Sequence, residues 1–127
     1  MCLESTTFKE KWYLDSRCSR HMTGKTNLFT HFEMKKGGKV IFGDNAKGKI
    51  VGIGRVGKKD FTFIKNVLLV EGLKHNLLSV SQLCDKGNRV IFEPKEYFIT
   101  HIEKKKVIFK GERVNNVYII DLSSLTN

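Results

Sequence analysis

Short apolar runs recur between glycine-bearing turns along nearly the whole chain, and this punctuation restricts the fold more than any other feature of the sequence. A strand needs only a few residues between turns, whereas a packed helix needs several uninterrupted turns of helical periodicity. The runs predict strands over 11–14, 39–42, 49–56, 60–69, 89–92, 97–102, 107–110 and 117–122. Gly37-Gly38, Gly43-Asp44-Asn45, Gly57-Lys58, Gly87-Asn88 and Gly111-Glu112 supply the turns between them. One segment departs from this pattern. Leu77, Leu78, Val80, Ser81, Leu83 and Cys84 fall at helical spacing ahead of Gly87, which predicts a short helix over about 77–86 with Asn76 capping its start. The expected class is all-β with that one helix.

At 127 residues the chain has the length of one domain. Residues 1–10 read as a flexible N-terminal arm and 123–127 as a tail. Between them, 11–88 carry most of the strands and the helix. Residues 89–122 form a second meander that either adds to the first unit or begins a neighbouring module. Lys and Arg total 23 against 13 for Asp and Glu, a net charge of +10, so weak nonspecific attraction to nucleic acid is expected. The charges stand in groups such as Lys35-Lys36, Lys58-Lys59 and Lys104-Lys105-Lys106 between apolar runs, the pattern of solvated strand ends. Cys2, Cys18 and Cys84 are odd in number and widely spaced, with no signal peptide ahead of them, which predicts a reducing intracellular, cytoplasmic setting rather than a disulfide framework. No apolar run approaches the roughly 20 residues that cross a bilayer, and no membrane partner is expected.

Chemistry concentrates at Trp12-Tyr13-Leu14-Asp15-Ser16-Arg17, where an aromatic and aliphatic run delivers a carboxylate and then a hydroxyl into a polar turn. This reads as an aspartic-protease loop with Arg17 in the glycine position. A chain with one such Asp reaches that chemistry only as a homodimer. Two copies of Asp15 about 3 Å apart would share one proton, one acting as acid while the other activates water. Ser16 would lock the two loops together through its hydroxyl. Arg17 would place a cation beside the pair, crowd the cleft and hold both carboxylates ionised. The plainer alternative is an Asx-type turn between strands. A hairpin bearing Gly43, Asp44, Asn45, Ala46, Lys47 and Gly48 at its tip is either an ordinary connection or a flap that closes over an extended polypeptide. Gly52-Ile53-Gly54 leads into no helix, so a dinucleotide fingerprint is rejected. Cys18 and His21 have the gap of two zinc ligands, but no second close pair accompanies them; a buried thiol and a hydrogen-bonded imidazole are expected, with no metal. No cofactor motif and no serine-hydrolase order is present.

Trp12-Tyr13-Leu14-Asp15-Ser16-Arg17-Cys18-Ser19-Arg20-His21-Met22 resembles the protease segment of copia-type LTR retrotransposon Pol polyproteins, with the glycine as the one departure. The likeness continues through Val40-Ile41-Phe42-Gly43-Asp44-Asn45, Gly52-Ile53-Gly54, Asn66-Val67-Leu68-Leu69-Val70 and Leu73 to Leu83, covering roughly residues 11–122. The resemblance implies a small closed retropepsin-like β-barrel acting as a homodimeric aspartic endopeptidase on its own polyprotein. Asp15 is then the catalytic acid, 43–48 the flap, and 89–122 the stretch leading toward the pre-integrase region. The competing class is a noncatalytic barrel module that binds nucleic acid or an element-encoded partner.

Overall fold

Alternation along the first strand sets the geometry of everything around it. Trp12 is wholly buried, Leu14 packs beside it, and Tyr13 points the other way, its ring edge-on to His75 at 5.3 Å. The computed structural model describes residues 11–35, 37–42, 46–58 and 61–121. These form β1 (Lys11–Asp15), β2 (Met22–Thr23), a 3-10 turn (Thr26–Leu28), β3 (Phe29–Met34), β4 (Lys39–Phe42), β5 (Ala46–Lys58), β6 (Phe61–Glu71) and β7 (Asn76–Ser79). A helix α1 (Val80–Asp85) follows, then β8 (Asn88–Phe92), β9 (Glu96–His101), β10 (Lys106–Val114) and β11 (Val117–Asp121).

The strands hydrogen-bond in the order β3-β5-β6-β2-β7-β1-β11-β10-β9-β8, with β4 also paired to β5. Two pairings at the centre are parallel: β1 with β7, matching Asp15 to Ser79, and β2 with β6. β1 pairs antiparallel with β11 along its other edge, matching Trp12 to Ile120. Because β1 gives that edge to β11, the path runs on into the meander instead of returning to β3. The sheet is therefore open among the described residues, in place of the closed barrel expected from the sequence.

One core cluster draws on both ends of the chain, joining Trp12, Val56, Val67, Leu78 and Leu83 to Tyr97, Ile99, Phe109 and Ile120. A second, smaller cluster holds Cys18, Met22, Leu68 and Val70. Neighbours on β6 thus serve opposite faces, which explains the nearly continuous apolar run Val67 to Val70.

Three sequence expectations change. Leu77 and Leu78 lie in β7, not in a helix: Leu78 packs into the larger cluster and Leu77 against the smaller, so adjacent residues face opposite sides. The helix starts at Val80, and its N-cap is Ser79, whose hydroxyl accepts from the Gln82 N–H at 3.1 Å. Gly111 lies inside β10 rather than in a turn. A Cβ there would strike the Tyr97 ring and the Ile119 carbonyl oxygen, so only glycine lets Tyr97 fill the space. The turn itself falls on Asn115-Asn116, both at positive φ, as a two-residue hairpin between right-twisted strands requires. The strands β2 and β3 were not expected. β2 spans two residues, and β3 is a largely exposed edge strand with little apolar alternation.

Candidate functional site

Asp15 ends β1 and begins the turn that the sequence singled out. Its Oδ1 accepts the Arg17 backbone N–H at 2.7 Å, the geometry of an Asx turn. Ser16 and Arg17 are exposed, and the Ser16 hydroxyl bonds to no other described residue. A cleft of about 460 Å3 opens beside this turn, walled by Tyr13, His75 and Leu77 on one side and Val117 on the other. The carboxylate is thus held by the main chain at the mouth of an apolar cleft, with a hydroxyl and a guanidinium side chain on the same turn.

The hairpin of β4 and β5 is present, pairing Val40 with Gly48, Ile41 with Lys47 and Phe42 with Ala46. Gly43, Asp44 and Asn45 lie outside the described residues. Among the described residues, none from this hairpin lines the Asp15 cleft. Asp15, Ser16 and Arg17 therefore come together there, while Lys47 and Gly48 are not part of that lining.

Behind the turn lies a polar scaffold. The Cys18 Sγ–H donates to the Asp15 carbonyl oxygen at 3.6 Å. Burial, followed by the neighbouring Asp15 charge, pushes the Cys18 thiol up to about 11, so it stays protonated and unreactive at neutral pH. The Ser79 hydroxyl donates to the Cys18 carbonyl at 2.8 Å while capping α1. His21 is wired three ways. Its N–H donates to Gln82 Oε1 at 2.8 Å, its carbonyl accepts from Leu68 N–H at 2.9 Å, and its Nδ1 accepts from Ser79 N–H at 2.9 Å. Burial first, and the Arg20 cation second, lower the His21 pKa to about 4. Its ring is neutral at pH 7, with the proton on Nε2 because Nδ1 accepts.

Gln82 closes the circuit by donating through Nε2 to the carbonyl of Asn66, at 3.1 Å. Asn66 itself sits at φ 58°, in a left-handed conformation that asparagine tolerates better than most residues. A second link runs from the Thr23 hydroxyl to Asn76 Oδ1 and from Asn76 Nδ2 to the Lys11 carbonyl. Asn76 therefore ties β1 and β2 together rather than capping the helix.

These buried polar residues are what sequence reasoning missed. Read one at a time, Ser79, Gln82, Thr23 and Asn76 are ordinary polar residues; their partners lie as far as 61 positions away. The only signal in the sequence was the family likeness around Cys18 to Met22 and Asn76 to Gln82. Cys18 and His21 are spent on this scaffold, the thiol on Asp15 and the imidazole on Ser79. Among the described residues, no group of three or more His, Cys, Asp or Glu side chains is placed to hold a metal ion.

Residues 12–88 match the family described as Pol polyprotein, beta-barrel domain. The matched stretch begins at the buried Trp12, contains the Asp15 turn and the whole His21–Ser79–Gln82 scaffold, and ends at the first residue of β8. No curated protein and no solved structure matches the chain.

Proposed function

The chain belongs to the Pol polyprotein beta-barrel domain family, and from that premise we propose that it is an aspartic-endopeptidase-type domain of a copia-type element in which Asp15 is the catalytic acid and Arg17 suppresses catalysis. The observation that carries this reading is the Asp15 turn. A half-buried carboxylate at a strand end is oriented by a backbone N–H two residues on, over a helix cap that fixes the following residues. Such an acid is pre-positioned, and its second carboxylate comes from another copy of the chain. β1 is paired along both edges, so that copy approaches the end of the strand, where Ser16 is exposed and free to bond across a twofold axis.

Two Arg17 side chains meet at the same axis. Their mutual repulsion opposes association, and their field stabilises ionised carboxylates, removing the shared proton that activates water. The substrate in this reading is the element's own polyprotein in extended form, with the 43–48 hairpin as flap.

Sedimentation tests the proposal. The Arg17→Gly protein is expected to self-associate into dimers at concentrations where the native protein remains largely monomeric, with added salt narrowing the difference by screening the arginines. An Arg17→Gly protein that stays strictly monomeric at all concentrations would contradict it, because one chain cannot supply two copies of Asp15.

A further inference from the structure

The far edge of the sheet is open. β8 ends the strand order and pairs with β9 alone, without a bulge, so its other side carries main-chain groups that no strand bonds among the described residues. Two hydrogen bonds fix which residues face outward. The Glu93 N–H donates to the Glu96 carbonyl at 2.8 Å and the Ile102 N–H to the Gly87 carbonyl at 3.0 Å, so Arg89, Ile91 and Glu93 turn their main-chain groups toward β9. The intervening Val90 and Phe92 turn theirs outward.

The side chains along this edge invite pairing. Natural edge strands carry lysine, proline or a bulge that discourages it, whereas β8 exposes Ile91 (40%) and Phe92 (45%) between the exposed Arg89 and Glu93. By alternation Arg89, Ile91 and Glu93 share one face, and Val90 and Phe92 the other. The Phe92 ring is already seated, 4.7 Å from the Tyr118 ring and 6.4 Å from that of Tyr97. Among the described residues, neither the Arg89 nor the Glu93 side chain forms an ion pair.

We propose that β8 is a twofold interface, pairing antiparallel with β8 of a second copy of the chain about Ile91. The stretch Arg89-Val90-Ile91-Phe92-Glu93 is complementary to itself. Arg89 stands opposite Glu93 of the second copy, Glu93 opposite its Arg89, and Ile91 opposite Ile91. On the other face Val90 meets Phe92 and covers its exposed ring, while the outward main-chain groups of these two residues exchange N–H to carbonyl bonds across the axis. Neighbouring registers are poorer. Centring on Phe92 sets Val90 against Pro94, which has no N–H, and centring on Val90 sets Phe92 against the buried Asn88 and leaves both charges unpaired. A slip of one residue opposes outward groups to inward ones. The strand covers far less than the roughly 1,200 Å2 at which stable interfaces begin, and two chains of net charge +10 repel, so the contact forms only at high concentration. β11, β10 and β9 separate it from the strand that carries Asp15, and it is independent of any proteolytic activity.

The test follows the isotope-labelled full chain by amide shifts and sedimentation as its concentration rises to about 1 mM. The amides of 89–93 are expected to shift together with concentration, while those of 15–18 stay in place. Arg89→Glu and Glu93→Arg each set like charges across the axis and should weaken self-association by ~10-fold or more. Mixed in equal amounts the two variants are complementary again, and the mixture should associate within about threefold of the native chain. Arg89→Glu also lowers the net charge, so general repulsion alone would strengthen its association instead. Both side chains are exposed, so the variants keep the fold, which unshifted amides elsewhere in the chain verify. A peptide of residues 88–94 should shift the same amides as self-association does. Amides of 89–93 that ignore concentration, or a mixture that associates no better than the separate variants, would each overturn the proposal. So would equal binding of a peptide with Arg89 and Glu93 exchanged, which would mark the edge as an acceptor for any extended strand.

Discussion

Acidification from pH 7 to pH 4 is expected to strip about 3 kcal/mol of stability from the protein through His21 alone. The folded-state pKa of about 4 lies below the ordinary 6.5 because the ring is buried and Arg20 stands near. In the unfolded chain the imidazole takes up its proton as the pH falls through 6.5; in the folded chain it does so only near 4. Within that window the unfolded state binds more protons, so stability is fully present above pH 6.5 and drains away toward pH 4. The structural consequence is specific. Protonated Nδ1 becomes a donor facing the Ser79 N–H, which breaks the hydrogen bond between His21 and the residue that caps α1. Urea denaturation at pH 7, 5.5 and 4 measures the effect. His21→Asn should start less stable at pH 7 but lose markedly less between pH 6.5 and 4. Identical pH slopes for the two proteins would show that His21 does not control acid stability.

Gly54→Val should be the more damaging substitution, costing about 3 kcal/mol or more. A Cβ at Gly54 would overlap the His31 carbonyl oxygen and run into the backbone and Cβ of Phe32, so the clash is with the partner strand and not with the tip of a flexible side chain. β3 and β5 would have to separate, breaking the pairing of His31 with Arg55 and Phe32 with Gly54. Two positions earlier the constraint is milder. The nearest atom to a Cβ at Gly52 is the Glu33 carbonyl oxygen at 3.0 Å, and Gly52→Ala is expected to be tolerated with a smaller loss. Chemical denaturation of both variants gives the comparison; a Gly54→Val protein as stable as the native one would contradict the packing of β3 on β5. The same geometry accounts for the Gly-Ile-Gly pattern, which serves strand packing in the middle of β5.

Much of this strand arrangement was legible because β-structure leaves local marks. The runs at 39–42 and 89–92 correspond to β4 and to the body of β8, and Gly87, at φ 90°, stands just past α1 as a helix-ending glycine should. Legibility failed where the deciding neighbour is distant in the chain. Leu77 and Leu78 read as helical because nothing local reveals that β1 lies alongside them in parallel register. The open sheet follows from β11 taking the second edge of β1, a pairing between opposite ends of the chain. At the site, Asp15, Ser16 and Arg17 were readable as a chemical sequence. The scaffold beneath them was not, since His21, Ser79 and Gln82 acquire meaning only as partners.

The proposed roles of Asp15 and Arg17 can be tested separately from the family of the chain. The most direct measurement is cleavage of the element's own polyprotein junctions by purified Arg17→Gly protein, followed against enzyme concentration and pH. The expected result is cleavage that rises more steeply than the first power of concentration, has a bell-shaped acidic pH profile, is absent from the native protein, and disappears in the double variant Asp15→Asn, Arg17→Gly. Cleavage that persists after Asp15→Asn, or an Arg17→Gly protein that dimerises yet cuts nothing, would contradict the assignment of Asp15 as the acid and of Arg17 as the residue that silences it.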